Sequence, residues 1–259
     1  MDLAIAGRTA LVCASSKGLG RACALALAEA GCEIFINGRD TGALAATARD
    51  IAGSTGAKVT AVTADVSTPA GRAILLEACP NPDILINNNG GPAPRDFRAL
   101  TPEMLAAGLE ANMLAPIALI QKVIDGMVAR RFGRIVNITS ASVKMPLTGL
   151  DLSSGARAGL TAFLAGIARE VAHANVTINQ LLPGAFETDR LKSSTERMAA
   201  LRGIDIDTLR QERQRLIPAR RYGDPREFGQ ACAWLASAQA GYITGQNILI
   251  DGGAFPGAF

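Results

Sequence analysis

With 259 residues, 49% of them hydrophobic, the chain has enough apolar material for one large domain or two small ones, and length alone does not choose. Its 26 Lys and Arg against 23 Asp and Glu leave a net charge of +3, so no long-range field draws it to nucleic acid or to an anionic membrane surface. Aromatic residues are only 4% of the chain, which argues against base-stacking platforms and aromatic cages and leaves a plain aliphatic core.

The opening "MDLAIAGRTALV" carries an acid at position 2 and lacks the charged-then-apolar layout of a signal segment, and no apolar run nears the ~20 residues of a membrane span. "TALVC" is the first candidate strand and runs into "ASSKGLGRACALALAEAG", a turn with Gly18 and Gly20 that opens a helix. Such a turn suits a pyrophosphate, because glycines let the backbone approach and the helix start offers free N–H groups. The generic G-x-G-x-x-G pattern is not matched, since Cys23 stands where its third glycine would be, and an ordinary glycine turn reads the same way.

Further candidate strands follow in "EIFIN", "KVTAV", "DILIN", "RIVNI", "VTINQLL" and "QNILI", each bounded by Gly, Asn, Asp or Pro. Helix-length segments such as "NMLAPIALIQKVIDGMVARR" lie between them, and near-continuous apolar strands alternating with helices predict an α/β, doubly wound parallel sheet of about seven strands. Nothing resembling a linker interrupts residues 1–259, which predicts a single domain. The Arg-rich stretch from Leu191 to Arg221, before the last helix and strand, reads equally as a substrate lid or as a solvated helical pair. The cysteines, Cys13, Cys23, Cys32, Cys79 and Cys232, are dispersed without metal-ligand spacing and read as small buried hydrophobes, so no metal is expected and a reduced cytoplasm is the expected compartment.

In fixed order come "AGR", "ASSKGLG", "ADVS", "INNNG", "EANM", "IVNITS", "LLPGAFETD", "GDPREFG" and "YITGQNILIDGG". With these the chain resembles the short-chain dehydrogenase/reductase family, of the 3-oxoacyl-acyl-carrier-protein reductase type, from Gly7 to Gly253. The resemblance implies a Rossmann-type domain and a nicotinamide dinucleotide held by the turn Ser15, Ser16, Lys17, Gly18, Leu19 and Gly20. Cys13 and Ala14 replace the first two residues of the family's T-G-x-x-x-G-x-G, which predicts a tighter entrance. It further implies cofactor contacts from Asp65 and Val66, from Asn88 and Gly90 in a segment where Asn89 replaces alanine, and from Pro183, Gly184, Phe186 and Thr188. A substrate lid is implied over 186–221, whose arginines suit an acidic or phosphorylated substrate but are equally explained by salt bridges between helices.

NAD enzymes of this layout carry a carboxylate near the end of the second strand, whereas a 2′-phosphate calls for cations and no carboxylate. Here Gly38 takes the acidic position, Arg39 follows, and Lys17 sits in the turn, which predicts NADP(H). Asp40 lies too far along to replace the acid and reads as an N-cap. The family's reaction centre is an Asn, a Ser and a Y-x-x-x-K pair. Asn112 and Ser140 match the first two, but Ser153 and Arg157 stand at the tyrosine and lysine positions, with Arg157 also implied at the nicotinamide ribose. Serine cannot replace a phenol as an acid, and arginine does not release a proton usefully, yet a fixed cation beside a developing oxyanion still lowers a barrier. Lys144 and Asp151 are reserve candidates that read more simply as loop charges, Tyr222 and Tyr242 lie near the C-terminus, and His173, the sole histidine, falls at the far end of the helix that begins near Ser153.

The expected activity is NADP-dependent hydride transfer to or from a small carbonyl or alcohol. The alternatives are reduction of a conjugated C=C or C=N bond, and a non-catalytic NADP-binding regulator. Small-molecule substrate aside, the resemblance implies the chain itself as partner, as a homotetramer or homodimer through the helices of 113–130 and 153–171, both apolar over more than one face, with no nucleic acid and no membrane.

Overall fold

A computed structural model describes residues 2–258. The seven apolar runs form β1 (Thr9–Val12), β2 (Glu33–Gly38), β3 (Val59–Thr63), β4 (Ile84–Asn87), β5 (Gly133–Ile138), β6 (Val176–Pro183) and β7 (Asn247–Ile250). All pair in parallel in the order β3-β2-β1-β4-β5-β6-β7. Parallel neighbours need crossovers, and helices supply them: α1 (Gly18–Glu29), α2 (Thr41–Thr55), α3 (Pro69–Ala78), α4 (Pro102–Leu109), α5 (Ala115–Ala129), α6 (Asp151–Val171), α7 (Asp189–Arg202), α8 (Ile206–Arg215) and α9 (Pro225–Leu235).

The sheet is covered on both faces, and the alternation along β1 shows how. Ala10 and Val12 face a core completed by Leu27 and Phe228, from α1 and α9, while Leu11 and Cys13 face a second core with Leu75, Ile120 and Leu160, from α3, α5 and α6. All five cysteines are free and buried in these layers. Burial pushes the Cys13, Cys32 and Cys79 thiols up to about 12, so they stay protonated and behave as hydrophobes. The α1 and α9 helices touch at glycine: a Cβ on Gly229 would stand 2.3 Å from the Ala22 carbonyl oxygen.

The helix expected from Asn112 starts earlier, at Pro102, capped by Thr101 Oγ1, which accepts from the Met104 N–H at 3.3 Å. It passes through one π-helical stretch, Glu110–Leu114, into α5. The expectation about membrane spans needs a correction here. Pro102–Ala129 is a 28-residue helix with mean hydropathy 1.4 over its most apolar window, long and apolar enough to cross a membrane by length and composition, because scattered polar residues break the run without lowering the average. One of its faces, with Ile117, Ile120, Val123 and Met127, is buried on the sheet.

Candidate active site

The chain winds outward through β1, β2 and β3 and returns to place β4 against β1, so the crossovers diverge where these two strands end. A cleft of about 780 Å³ opens at this end of the sheet. Its floor is the turn from β1 into α1. Gly18 adopts φ +59°, and Gly20 admits no side chain, since a Cβ would stand 2.4 Å from the Ala14 carbonyl oxygen. Ala14 itself takes φ +43°, a left-handed conformation that glycine adopts freely. It is held there by its N–H donating to Asn37 Oδ1 (3.2 Å) and its carbonyl accepting from Asn88 Nδ2 (3.0 Å). The helices α2, α3, α4, α7, α8 and α9 all begin with a side-chain cap, α2 with Asp40 as expected. The start of α1, after Lys17, has none, so its first-turn N–H groups are left for an anion.

Most of the expected cofactor residues line this cleft: Ser16, Lys17, Gly18 and Leu19 from the turn, Arg39, Asp65 and Val66 from the ends of β2 and β3, Asn88 and Gly90 after β4, and Pro183, Gly184, Phe186 and Thr188 after β6. Ser15 and Gly20 stand behind the cleft wall. Ser15 is fully buried and structural: its Oγ donates to the Val12 carbonyl (2.7 Å) and accepts from the Asn37 N–H (3.0 Å). Gly20 serves the close approach of α1 to Ala14 and Asn88. A Cβ on Gly38 would already stand 3.1 Å from Ser16, so the end of β2 has little room for a carboxylate side chain. Arg39 beside it is exposed and reaches Asp65 at 3.7 Å. Free amides at α1, with Lys17 and Arg39 flanking a bare strand end, fit a dinucleotide that carries an additional phosphate.

Ser140, Ser153 and Arg157 come together at the other end of the cleft. Ser153 and Arg157 are four apart on α6 and share a buried face; Arg157 Nε donates to Ser153 Oγ at 3.2 Å. Its Nη1 donates to the Ile138 carbonyl at the end of β5 (2.7 Å), and its Nη2 to the Asn89 carbonyl after β4 (3.4 Å). Burial first, and the charge of Arg190 second, push the Arg157 guanidinium down to about 10, which leaves it cationic at neutral pH. Ser140 caps a short 3₁₀ turn, its Oγ accepting from the Ser142 N–H at 3.1 Å. Asn112 does not reach the main cleft. It sits in the π-helical stretch and lines a cavity of about 20 Å³, which Arg157 borders from the other side. Its Oδ1 is buried with no hydrogen-bond partner among the described residues.

Asn89, the departure from the family's alanine, has a structural role: its Nδ2 donates to Ser67 Oγ (2.9 Å) and to the Ala111 carbonyl (3.2 Å), tying this loop to the π-helical stretch. Lys144 and Asp151 are exposed and off the cleft wall, and the exposed His173 ring donates from Nδ1 to the Glu170 carbonyl (2.9 Å). Tyr242 is exposed, and Tyr222 is buried beside α7 and α8 in a separate pocket. No phenol or imidazole therefore faces Ser153 among the described residues. Arg190 is the residue that sequence reasoning missed. Its guanidinium and Ser153 both pack against Gly91: the point where a Cβ on Gly91 would stand lies 3.1 Å from Arg190 Nη2 and 3.3 Å from Ser153 Oγ. The only advance signal was its place in the Arg-rich region after "PG".

The family described as "Enoyl-(Acyl carrier protein) reductase" matches residues 13–254 of the chain. Among curated relatives, the 3-oxoacyl-[acyl-carrier-protein] reductase FabG of Vibrio cholerae serotype O1 is 33% identical over 253 residues, covering 96% of this chain and 98% of that protein. Among solved structures, YwfH, an NADPH-dependent reductase involved in bacilysin biosynthesis, superposes with a TM-score of 0.91 at 32% identity, over 97% of this chain and 100% of that one. L-sorbose reductase from Gluconobacter frateurii, solved with NADPH and L-sorbose, superposes with a TM-score of 0.94 at 27% identity, over 99% and 100%.

Proposed function

The chain belongs to the short-chain dehydrogenase/reductase family and is an NADP-dependent oxidoreductase, and from that premise we propose that it interconverts a small carbonyl compound and its alcohol through a site in which Arg157 and Ser153 replace the family's lysine and tyrosine. One observation carries the reading. A buried, still-charged guanidinium is hydrogen-bonded to Ser153 in the same cleft as Ser140 and the uncapped start of α1. When bound, NADPH supplies the hydride. The free amides of α1 suit its pyrophosphate, Lys17 and Arg39 its 2′-phosphate, and Arg157 its nicotinamide ribose.

Ser140 and Ser153 offer hydroxyls to the substrate oxygen, and Arg157 stabilises the negative charge that grows there as the carbonyl carbon gains hydride. The proton that completes the alcohol comes from water relayed by these hydroxyls, because Arg157 keeps its own proton at neutral pH. The same arrangement suits a second substrate class. Hydride added to the far carbon of a conjugated C=C places charge on an enolate oxygen, which needs a cation more than an acid, and water then protonates carbon. The absence of a phenol or imidazole beside Ser153 among the described residues favours keeping this second reading.

Residues 186–221, with α7 and α8, act as the substrate lid in this reading, and the cytoplasm as its compartment. NADPH oxidation measured over panels of ketones, enones and imines, with products identified, tests it. Turnover of ketones to alcohols is expected; saturated ketones formed from enones alone would select the second substrate class, and no oxidation on any panel would overturn both.

A further inference from the structure

We propose that the substrate carries a carboxylate next to its reacting carbon, and that Arg190, from the first turn of the lid helix α7, receives that carboxylate together with Arg157. The inference rests on the hydride-transfer reading above and names the substrate class of that site.

Of the eight arginines of 186–221, Arg213 lines the cleft but donates to Thr195 Oγ1 at 2.9 Å, and Arg215 and Arg220 are off the cleft wall; the other five divide into two groups. Arg202 pairs with Glu212 at 2.9 Å, Arg210 with Glu187, and Arg221 with Glu227 at 2.7 Å, so salt bridges account for these. Arg190 and Arg197 have no carboxylate within 4.0 Å among the described residues, and both line the cleft. They lie seven apart with Ser193 and Ser194 between them, which is one face of a helix, so the cleft side of α7 is cationic and hydroxylic. Carboxylates on the cleft wall do not answer them. Asp65 is beside Arg39 at the other end, Asp251 accepts from the Gly253 and Phe255 N–H groups, and Asp189 projects from α7 without pairing.

Within this face Arg190 is set apart by where its guanidinium ends. Both Nη atoms lie within 3.4 Å, and Ser153 Oγ within 3.3 Å, of the point where a Cβ on Gly91 would stand, so the guanidinium lies over Gly91 on the Ser153 side of the cleft. Ser153 in turn accepts from Arg157 at 3.2 Å. Two guanidinium groups thus flank Ser153, Arg157 hydrogen-bonded to it and Arg190 packed against Gly91 beside it, with no carboxylate paired to either among the described residues. Like charges brought together in a partly desolvated cleft repel, and a bound anion reverses the sign of that interaction. Because Ser153 takes the position that meets the reacting oxygen, an anion held between the two arginines lies beside that oxygen. A 2-oxo acid sets its carboxylate directly beside its carbonyl, and a planar carboxylate matches the paired N–H donors of a guanidinium.

The test compares benzoate with benzamide in calorimetric titrations of the full-length protein, with and without NADP⁺, alongside turnover of benzoylformate against its methyl ester. Benzoate is expected to bind at least about tenfold more tightly than benzamide, with a matching preference for the acid in kcat/KM. Arg190→Gln should abolish both preferences and Arg190→Lys should restore part, while Arg202→Gln, which loses only the Glu212 pair, should keep them. Equal binding of the two probes, or no benzoate binding, overturns the inference. So does an Arg190→Gln protein that loses NADP⁺ affinity but keeps the acid preference, since Arg190 would then serve the cofactor. Neutral ketones reduced without preference would sink the inference and leave the hydride reading standing; preferential benzoate binding without any NADPH oxidation would do the reverse.

Discussion

Arg157 commits three of its five N–H donors to Ser153 Oγ and to the carbonyls of Ile138 and Asn89, so it ties α6 to the ends of β5 and β4 while holding a fixed charge. Arg157→Ala would leave two carbonyls without that donor and is expected to cost about 3 kcal/mol of folding stability. It should also weaken NADPH binding and cut turnover together, whereas Ser153→Ala should keep NADPH binding and slow turnover modestly, and Ser140→Ala should cost more rate than Ser153→Ala. Thermal melts run beside Kd and kcat separate the structural part from the functional part. An Arg157→Ala protein with unchanged affinity and rate would contradict this assignment. Ser153 and Arg157 could be found in the sequence because the resemblance to the family fixes where its Y-x-x-x-K pair falls. Arg190 could not, because its proximity to Ser153 depends on how α7 crosses the cleft, and no local pattern records that crossing. The inward side chain of Ser15 was not legible for a related reason: pattern locates a turn but not which way each of its side chains points.

The seven strands and the glycine turn were legible as elements because each apolar run ends at a residue that breaks pairing, and because strands buried on both faces carry no alternation to obscure. The π-helical stretch was not legible. Glu110–Leu114 has ordinary helix formers, and only the structure shows the widened turn that carries Asn112 to the small cavity behind Arg157. At the end of β2, the crowding of Gly38 against Ser16 and the nearby Arg39 and Lys17 lead to a cofactor prediction. NADPH should bind markedly more tightly than NADH, and Arg39→Ala should erase most of the difference. Equal affinities in the unmutated protein, read by fluorescence titration, would contradict it.

Across the whole molecule, the Pro102–Ala129 helix and α6 bury one side on the sheet and leave Leu105, Leu109, Leu114 and Phe163 exposed. A second copy of the chain covering these helices is the expected arrangement, as a dimer or tetramer, and a monomer by light scattering at micromolar concentration would rule it out. The sheet, the glycine turn and α7 meet at one cleft, and the end of it that is proposed to react holds the buried Arg157 cation. The pH dependence of kcat tests the role of that cation most directly. Desolvation, then Arg190, push Arg157 down to about 10, and losing its proton removes the charge that stabilises the substrate oxygen. Turnover is therefore predicted to stay level from about pH 6 to about pH 9 and to fall as pH approaches the Arg157 value. A rate that instead steps up or down near neutrality, and keeps that step in Arg157→Lys, would show that another group supplies the proton and would contradict catalysis by a fixed charge.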